Sequence, residues 1–194
     1  DGHRLAFATA TLAVEVHKHA VILPRQTVIE MQRLLSDKEG AIEFQFASNQ
    51  AKFRFDGMEF VTKLVEGKFP DYNRVIPKNH KNTIVVGRAP LLASLQRTAS
   101  LTSVKFKGVR LNIDPGTLRI ASNNAEQEEA VDELDIDYAG DEIEIGFNVT
   151  YLIDALSNMT QEMVKLELSD GNSSALITIP DNTTFKYVVM PMRI

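Results

Sequence analysis

The sequence contains no cysteine among its 194 residues. This absence excludes a disulfide framework, a zinc site with thiolate ligands and a cysteine nucleophile, and it fits a reducing compartment. No apolar stretch approaches the roughly 20 residues that a membrane helix requires, and no signal-peptide pattern opens the chain. We therefore expect a cytoplasmic protein that has no membrane partner.

A large excess of one charge is also missing. The 26 acidic residues stand against 21 basic residues, so the formal net charge is -5. This balance argues against simple electrostatic capture of nucleic acid, and any such contact must depend on the placement of a few cations. Hydrophobic residues make up 44% of the chain, which is enough for one large domain or two small ones.

Residue patterns typical of enzymes are absent as well. The chain has no glycine loop that would cradle a phosphate and no serine in a nucleophile-elbow context. His17 and His19 could bind a metal from one side of a strand, but no carboxylate clusters with them in the sequence, and surface histidines are the simpler interpretation. We predict a protein without catalytic residues, cofactor or metal; a hydrolase or transferase that uses His3 with a nearby acid stays open as an alternative.

The chain does contain an internal repeat. Each copy has an amphipathic helix, predicted from apolar residues three and four apart, followed by three strands, predicted from alternating apolar residues and Asp-Gly turns. The helices are predicted over residues 26–35, from residue 88 through Leu101, and from residue 148 through Met159. The strands are predicted over residues 42–47, 51–55 and 58–65, then 108–113, 117–121 and 130–138, then 164–168, 174–179 and 185–190.

The repeat predicts how the chain is organised. A helix with three strands cannot cover its own apolar face, so two copies should pair into a two-layer α+β domain. Residues 3–16 then represent the last strand of a fourth copy whose other elements are missing, and we expect the chain to be a fragment. The polar stretch at residues 77–82 contains a proline and is the natural boundary. We predict an incomplete domain over residues 1–80 and a complete domain over residues 81–194.

Six segments carry a resemblance to a known family. They are DGHRLA at residues 1–6, LVEGKFPDYNRVIPKN at 64–79, KFKGVRL at 105–111, NNAEQEEA at 123–130, EIGFNVTYLIDAL at 144–156 and YVVMPMRI at 187–194. Together they resemble the bacterial sliding clamp family, the beta subunit of DNA polymerase III. The resemblance implies the DNA-clamp fold, with this chain matching the later part of the middle domain and all of the C-terminal domain.

The resemblance also implies a function and partners. A clamp is a processivity factor that tethers the replicative polymerase to DNA, and its partners are the polymerase catalytic subunit, the clamp loader and other proteins with clamp-binding peptides. The full-length clamp is a head-to-tail homodimer that encircles double-stranded DNA without sequence preference. We expect this chain, which matches no part of the first domain, not to form the normal ring joint. An interaction module unrelated to replication is a further alternative.

A peptide pocket between the middle and C-terminal domains is the main site that the resemblance implies. Apolar side chains and adaptable methionines would accept hydrophobic peptide residues, and arginines would hold carbonyl groups or acidic flanks. From pattern alone, a last core strand at the terminal segment and an ordinary loop at residues 70–77 are favoured over a pocket, and the resemblance reverses this preference. Asn172 stands where the family has an apolar residue, and Ile194 replaces the common terminal leucine. The matching residues are Gly2, His3, Arg4, Leu5, Pro70, Arg74, Val75, Phe106, Asn148, Tyr151, Asn172, Ser174, Val188, Met190, Pro191, Met192 and Arg193.

Two further surfaces follow from the resemblance. Arg25, Arg33 and Arg97 match helices that face DNA, where they would contact phosphates and read no base sequence. The ring interface would include Leu101, Phe106, Gln127, Glu128 and Glu129. Solvated helix faces and a solvated acidic strand are the corresponding alternatives.

Overall fold

The computed structural model describes residues 1–194, which form twelve strands and four helices. The elements are β1 (Arg4–Ala8), α1 (Arg25–Leu35), β2 (Glu43–Phe46), β3 (Gln50–Phe55), β4 (Met58–Lys63), α2 (Tyr72–Val75), β5 (Asn82–Gly87), α3 (Arg88–Ala99), β6 (Gly108–Asp114), β7 (Thr117–Asn123), β8 (Glu129–Asp135), β9 (Ile143–Asn148), α4 (Val149–Ser157), β10 (Met163–Leu168), β11 (Ala175–Ile179) and β12 (Asn182–Val189). All strand pairs are antiparallel, so the predicted α+β class is confirmed. None of the four helices is long and apolar enough to cross a membrane.

The smaller of two compact units spans Leu12–Asp71. It contains α1 and a three-stranded sheet in the order β2-β3-β4. Met31 of α1 and the inward residues Ala51, Phe53 and Phe55 of β3 form its core. The hydroxyl groups of Thr27 and Thr62, 2.6 Å apart, join the helix to β4.

The larger unit combines Asp1–Thr11 with Tyr72–Ile194. It has a five-stranded sheet in the order β1-β12-β11-β10-β5 and a four-stranded sheet in the order β8-β7-β6-β9. Helices α3 and α4 contact each other, and together they contact both sheets. Alternate residues of each strand point inward, so that one hydrophobic core receives side chains from both sheets and both helices.

The predicted repeat is confirmed in its three helices and nine strands, with two corrections. Helix α3 ends at Ala99 and α4 ends at Ser157, so the prediction that Leu101 and Met159 lie on these helices is wrong. After α3, the hydroxyl groups of Ser100 and Thr102 donate to carbonyl groups of the last helical turn, at 2.7 Å each. These bonds satisfy carbonyls that a continuing helix would otherwise use, and the helix ends there.

Strands β5 and β9 were not predicted, and they join the two complete copies of the repeat. Each lies directly before a helix, and each pairs with the sheet of the other copy, β5 with β10 and β9 with β6. No turn residues separate these strands from the helices that follow them. Because no turn residues mark where these strands end, the alternating apolar residues at 82–87 and 143–148 could not be distinguished from the apolar pattern of the helices that follow.

Strand β1 also has a partner that the repeat does not predict. The strand predicted over residues 3–16 is shorter in the structure, where β1 covers only Arg4–Ala8. It pairs with β12, and Leu5 lies opposite Val188. Strand β1 therefore joins the sheet of the third copy and not that of a fourth copy. Without β1, the amide and carbonyl groups of β12 at that edge would be unpaired.

Candidate functional site

The β1–β12 ladder presents an apolar face on the side away from the main core. The ladder extends beyond β12, since the Met190 amide donates to the His3 carbonyl oxygen at 2.9 Å. By strand alternation Leu5, Val188 and Met190 share this outer face, which we call the docking ledge. Val188 is only 1% exposed, whereas Met190 is 47% exposed, so Met190 offers the accessible apolar surface.

Helix α2 lies on the same side as the docking ledge. The rings of Tyr72 and Phe7 are 5.3 Å apart, and Phe7 shares the outer face of β1 with Leu5. Arg74 and Val75 follow Tyr72 in this short helix, and both are exposed. Pro70 is exposed and lies in the smaller unit.

Arg4 points to the opposite face and joins β1 to α4. Its Nη1 donates to Asp154 Oδ2 at 2.5 Å, and its Nε donates to Asp1 Oδ2 at 3.3 Å. The guanidinium carbon lies 4.3 Å from the centroid of the Tyr151 ring. The bond to Asp154 raises the pKa of Arg4 above its ordinary value. Two carboxylates already bind this cation, so its role in this structure is to join strand β1 to helix α4.

Tyrosines complete the cluster around Arg4. The Tyr187 hydroxyl donates to the backbone carbonyl of Tyr151 at 3.0 Å and lies 3.5 Å from Arg4 Nη1. Burial raises the pKa of Tyr187, so this hydroxyl stays protonated and available as a donor at neutral pH. The imidazole of His3 stacks on the Tyr151 ring with centroids 6.4 Å apart. His3 contacts an acid through its backbone amide, which donates to Asp1 Oδ1.

The loop between β10 and β11 carries two further predicted residues. The Asp170 carboxylate accepts a hydrogen bond from the Asn172 amide at 2.8 Å, which lowers the pKa of Asp170. Asn172 is exposed and Ser174 is half-buried. Asn148 has a structural role, since its side chain accepts from the Thr150 amide at 3.0 Å and caps α4.

The end of the chain lies on the four-stranded sheet. The Met192 amide donates to the Gly146 carbonyl at 2.9 Å, and Pro191 and Met192 are half-buried, while Arg193 is exposed. Phe106, also exposed, and Ile194 approach the same glycine, Gly108. All predicted pocket residues except Pro70 belong to the larger unit. Hydrogen bonds and ring contacts join those of β1, β12 and α4 directly.

Two of the three predicted DNA-facing arginines are paired with acids. Arg33 Nη2 lies 2.8 Å from Glu30 on α1. Arg97 on α3 donates twice to Asp132 Oδ2 of β8, at 2.8 and 2.5 Å, and these bonds hold the pKa of Asp132 below its ordinary value. Arg25, the first residue of α1, is exposed.

The predicted ring-interface residues lie at two places near α3 and β8. Gln127 has a positive φ of 64° in the turn before β8, where Asn124 Oδ1 accepts from the Glu126 and Glu128 amides. Glu129 begins β8, one of the two edge strands of its sheet. Leu101 is half-buried in the turns after α3, and Phe106 closes a short turn with Ser103.

Sequence reasoning missed three residues of this region. Asp154 follows Tyr151 by three residues on α4, a spacing that places both on one helix face and could have indicated the cluster. Asp1 lies three residues before Arg4, and its carboxylate accepts from the Arg4 amide and from Arg4 Nε, so this contact is local. Tyr187 carried no local signal of its contact with Arg4, because the pairing of β1 with β12 brings the two residues together.

Two family models match the chain. The model of the central domain of the DNA polymerase III beta subunit matches residues 1–71, and the model of its C-terminal domain matches residues 73–193. The two matches meet at residues 71 and 73, and the domain boundary near residue 80 stays a prediction.

Relatives and solved structures agree with these models. The beta sliding clamps of Pseudomonas putida and Escherichia coli K12 are 46% and 42% identical over 195 and 194 residues, covering 100% of this chain and 53% of each relative. The chain thus spans about half the length of the curated relatives it matches. The DNA polymerase III subunit beta structure from Pseudomonas aeruginosa matches with a TM-score of 0.95 and 42% identity, covering 100% of this chain and 53% of that one. The Caulobacter crescentus beta sliding clamp structure matches with a TM-score of 0.93 and 32% identity, covering 100% of this chain and 52% of that one. With a C-terminal-domain match over residues 73–193, more than half of its length, the chain belongs to the DNA polymerase III beta subunit family, the beta sliding clamps.

Proposed function

We propose that this chain is part of a DNA sliding clamp, the processivity factor that tethers the bacterial replicative polymerase to DNA. The observation that carries the proposal is the docking ledge, where exposed Met190 extends an apolar strand face at the chain segment that resembles the clamp's peptide pocket. No chemical step is required of these residues; their role is to bind.

The docking ledge fits the hydrophobic end of a short peptide. Burying one leucine or methionine side chain contributes about 1.5–3 kcal/mol, so two anchored side chains would contribute about 3–6 kcal/mol before ordering costs are subtracted. Micromolar binding requires about 8 kcal/mol, so polar contacts of the peptide must supply the rest. Met190 has an unbranched side chain that can adjust to different partners. Its backbone is fixed by the His3 carbonyl, which limits the entropy lost on binding.

The proposed partners are the polymerase III catalytic subunit, the clamp loader and other proteins with clamp-binding peptides. A clamp from Pseudomonas aeruginosa, 42% identical to this chain, has been crystallised bound to griselimycin. That complex supports a ligand pocket in clamps of this family. The cytoplasm is the proposed location, because the replicative polymerase works there.

DNA binding is proposed for the complete homodimeric ring. Arg25, Arg33 and Arg97 would contact phosphates, and such contacts weaken steeply with salt. The ion pair between Arg97 and Asp132 reduces the contribution of this arginine to a positive inner surface. We expect this chain by itself not to form the normal ring joint, and a ring-like dimer in sedimentation would contradict that expectation.

Peptide binding tests the proposal directly. A fluorescent peptide from the C-terminal end of the polymerase catalytic subunit should bind the wild-type chain, measured by fluorescence polarisation. Met190→Ala together with Arg74→Ala should weaken the affinity by about tenfold or more. Deletion of residues 190–194 should abolish binding.

Met163→Ala is the matched control. Met163 is an exposed methionine of the same sheet, 40% accessible against 47% for Met190, and it lies at the first residue of β10. Its replacement should leave the affinity unchanged. Equal affinities for the wild type, the double variant and the deletion would refute the site.

A further inference from the structure

The last five residues, which we call the C-terminal strap (residues 190–194), cross from one sheet to the other. The Met190 amide donates to the carbonyl of His3, the residue before β1, and the Met192 amide donates to the carbonyl of Gly146 in β9, each at 2.9 Å. Pro191 between them has no amide hydrogen and a restricted φ. Backbone hydrogen bonds therefore hold the chain at Met190 and again two residues later, which fixes where the exposed Met190 side chain can lie.

The strap is seated on two glycines of the four-stranded sheet. In the β6–β9 ladder Gly108 pairs with Asn148, and Arg110 pairs with Gly146, so the glycines are diagonal neighbours. Both lie on the outer face, because Val109, Ile145 and Phe147 between them are buried in the core. The absence of two Cβ atoms leaves a depression in this face, and the Ile194 side chain lies over it.

Gly146 has no room for a larger residue while the strap is in place. A methyl carbon placed on it would lie 2.5 Å from the Met192 carbonyl oxygen and 2.6 Å from Ile194 Cδ1. The first of these is a backbone atom, which cannot rotate away. The φ of Gly146 is not positive, so the strand conformation itself would accept alanine. The close approach of the strap is therefore the feature that requires glycine here.

Gly108 differs in the kind of atoms that surround it. A methyl carbon placed there would meet Phe106 Cζ at 3.0 Å and Ile194 Cδ1 at 3.1 Å. Both atoms are the ends of exposed side chains, which can shift by a few tenths of an ångström. Alanine at Gly108 should therefore leave the backbone of the strap in place.

We propose that Gly146 is a positioning residue for the docking ledge, because it seats the strap that holds Met190 in its peptide-binding position. The inference rests on the proposed peptide-binding function. It assigns to an outer-face glycine of β9, distant in sequence from Met190, an effect on peptide affinity that is exerted through the strap.

The test compares Gly146→Ala with Gly108→Ala, using two measurements. Hydrogen exchange of the Met192 amide, followed by NMR, reports whether the strap is seated, and fluorescence polarisation reports peptide affinity. Gly146→Ala should speed Met192 exchange and weaken peptide binding, each by about tenfold or more. Gly108→Ala should change both by less than about threefold.

A chain that ends at Met190 separates steric conflict from folding defects. Without residues 191–194, Gly146→Ala should fold as its parent does and cause no further loss of affinity, because nothing remains for the new methyl group to displace. A folding defect in this background would overturn the inference, since the conflict would then lie outside the strap.

The remaining outcomes distinguish the inference from the proposed function. Fast Met192 exchange with unchanged peptide affinity in Gly146→Ala would overturn the inference and leave the peptide site intact. Unchanged Met192 exchange would overturn it as well. Failure of the wild type to bind any clamp-binding peptide, with a slowly exchanging Met192 amide, would instead refute the proposed function.

Discussion

The ion pair between Arg4 and Asp154 should stabilise the docking of β1 onto the rest of its unit. The two side chains come from positions 150 residues apart and meet at 2.5 Å. Arg4 is 29% exposed and Asp154 is 48% exposed, so water still screens the pair. The guanidinium also lies over the Tyr151 ring. Replacing Arg4 with alanine removes both contacts and the exposed bond to Asp1, whereas replacing Asp154 removes only the first.

The expected loss in the free energy of unfolding follows from this geometry. Two unit charges about 4 Å apart attract by about 4 kcal/mol at the effective dielectric constant near a protein surface. Partial exposure and the ordering of two side chains reduce the net contribution to about 1 kcal/mol. A cation–π contact at a partly exposed site adds about 0.5–1 kcal/mol. We expect Asp154→Ala to lower the free energy of unfolding by about 1 kcal/mol and Arg4→Ala by about 1.5–2 kcal/mol.

Urea unfolding of the wild type, both single variants and the double variant measures the coupling energy. The cycle cancels the change in helix propensity at Asp154 and should return about 1 kcal/mol. Arg119 and Glu133, paired at 2.9 Å across β7 and β8 and 50% and 54% exposed, are the matched control. Their coupling should be about half as large or less. A coupling for Arg4 and Asp154 no larger than that of the control would refute the reasoning.

Three further predictions concern the core, the inner surface and the response to acid. Leu156→Ala, in a fully buried position of α4, should lower the free energy of unfolding by about 2–5 kcal/mol, whereas Leu12→Ala, 62% exposed, should change it little; similar losses would contradict the core assignment. Asp132→Asn should free Arg97 and strengthen the binding of this chain to duplex DNA at low salt, with a salt slope steeper by about one; an unchanged slope would argue against a DNA-facing role. Burial lowers the pKa of His80 below 6.5, so the unfolded chain binds a proton at a higher pH than the folded chain does. The free energy of unfolding of the wild type should therefore fall as the pH decreases from about 7.5 to about 5.5, and that of His80→Gln should fall less. Equal decreases for the two proteins, measured by urea unfolding at both pH values, would contradict this prediction.

Local elements could be predicted well because their signals lie within short windows of sequence. Helix α1 was predicted over residues 26–35 and is found over Arg25–Leu35. The turn at Asp56 and Gly57 was predicted from its residue types, and both residues have positive φ values, 49° and 72°. Such features depend on backbone preference and on the spacing of apolar residues, which neighbouring residues determine.

The candidate site was only partly predictable. The resemblance placed Arg4 and Met190 in one pocket, but it gave Arg4 a ligand-binding role, and the structure pairs it with Asp154. The requirement for glycine at position 146 has no local cause, since its φ is not positive and an alanine would fit the strand. It becomes visible only when the strap is seen to cross it.

The sequence by itself determined the repeated order of helix and strands, the α+β class and the family resemblance of the chain. The tertiary structure alone decided which edges pair: β1 with β12, β5 with β10, β9 with β6, and the strap with Gly146. The physical reason is that every strand edge offers the same amide and carbonyl groups, so the backbone does not distinguish one partner from another. That choice is made by the shared core, which brings particular edges together only once both sheets and both helices have packed.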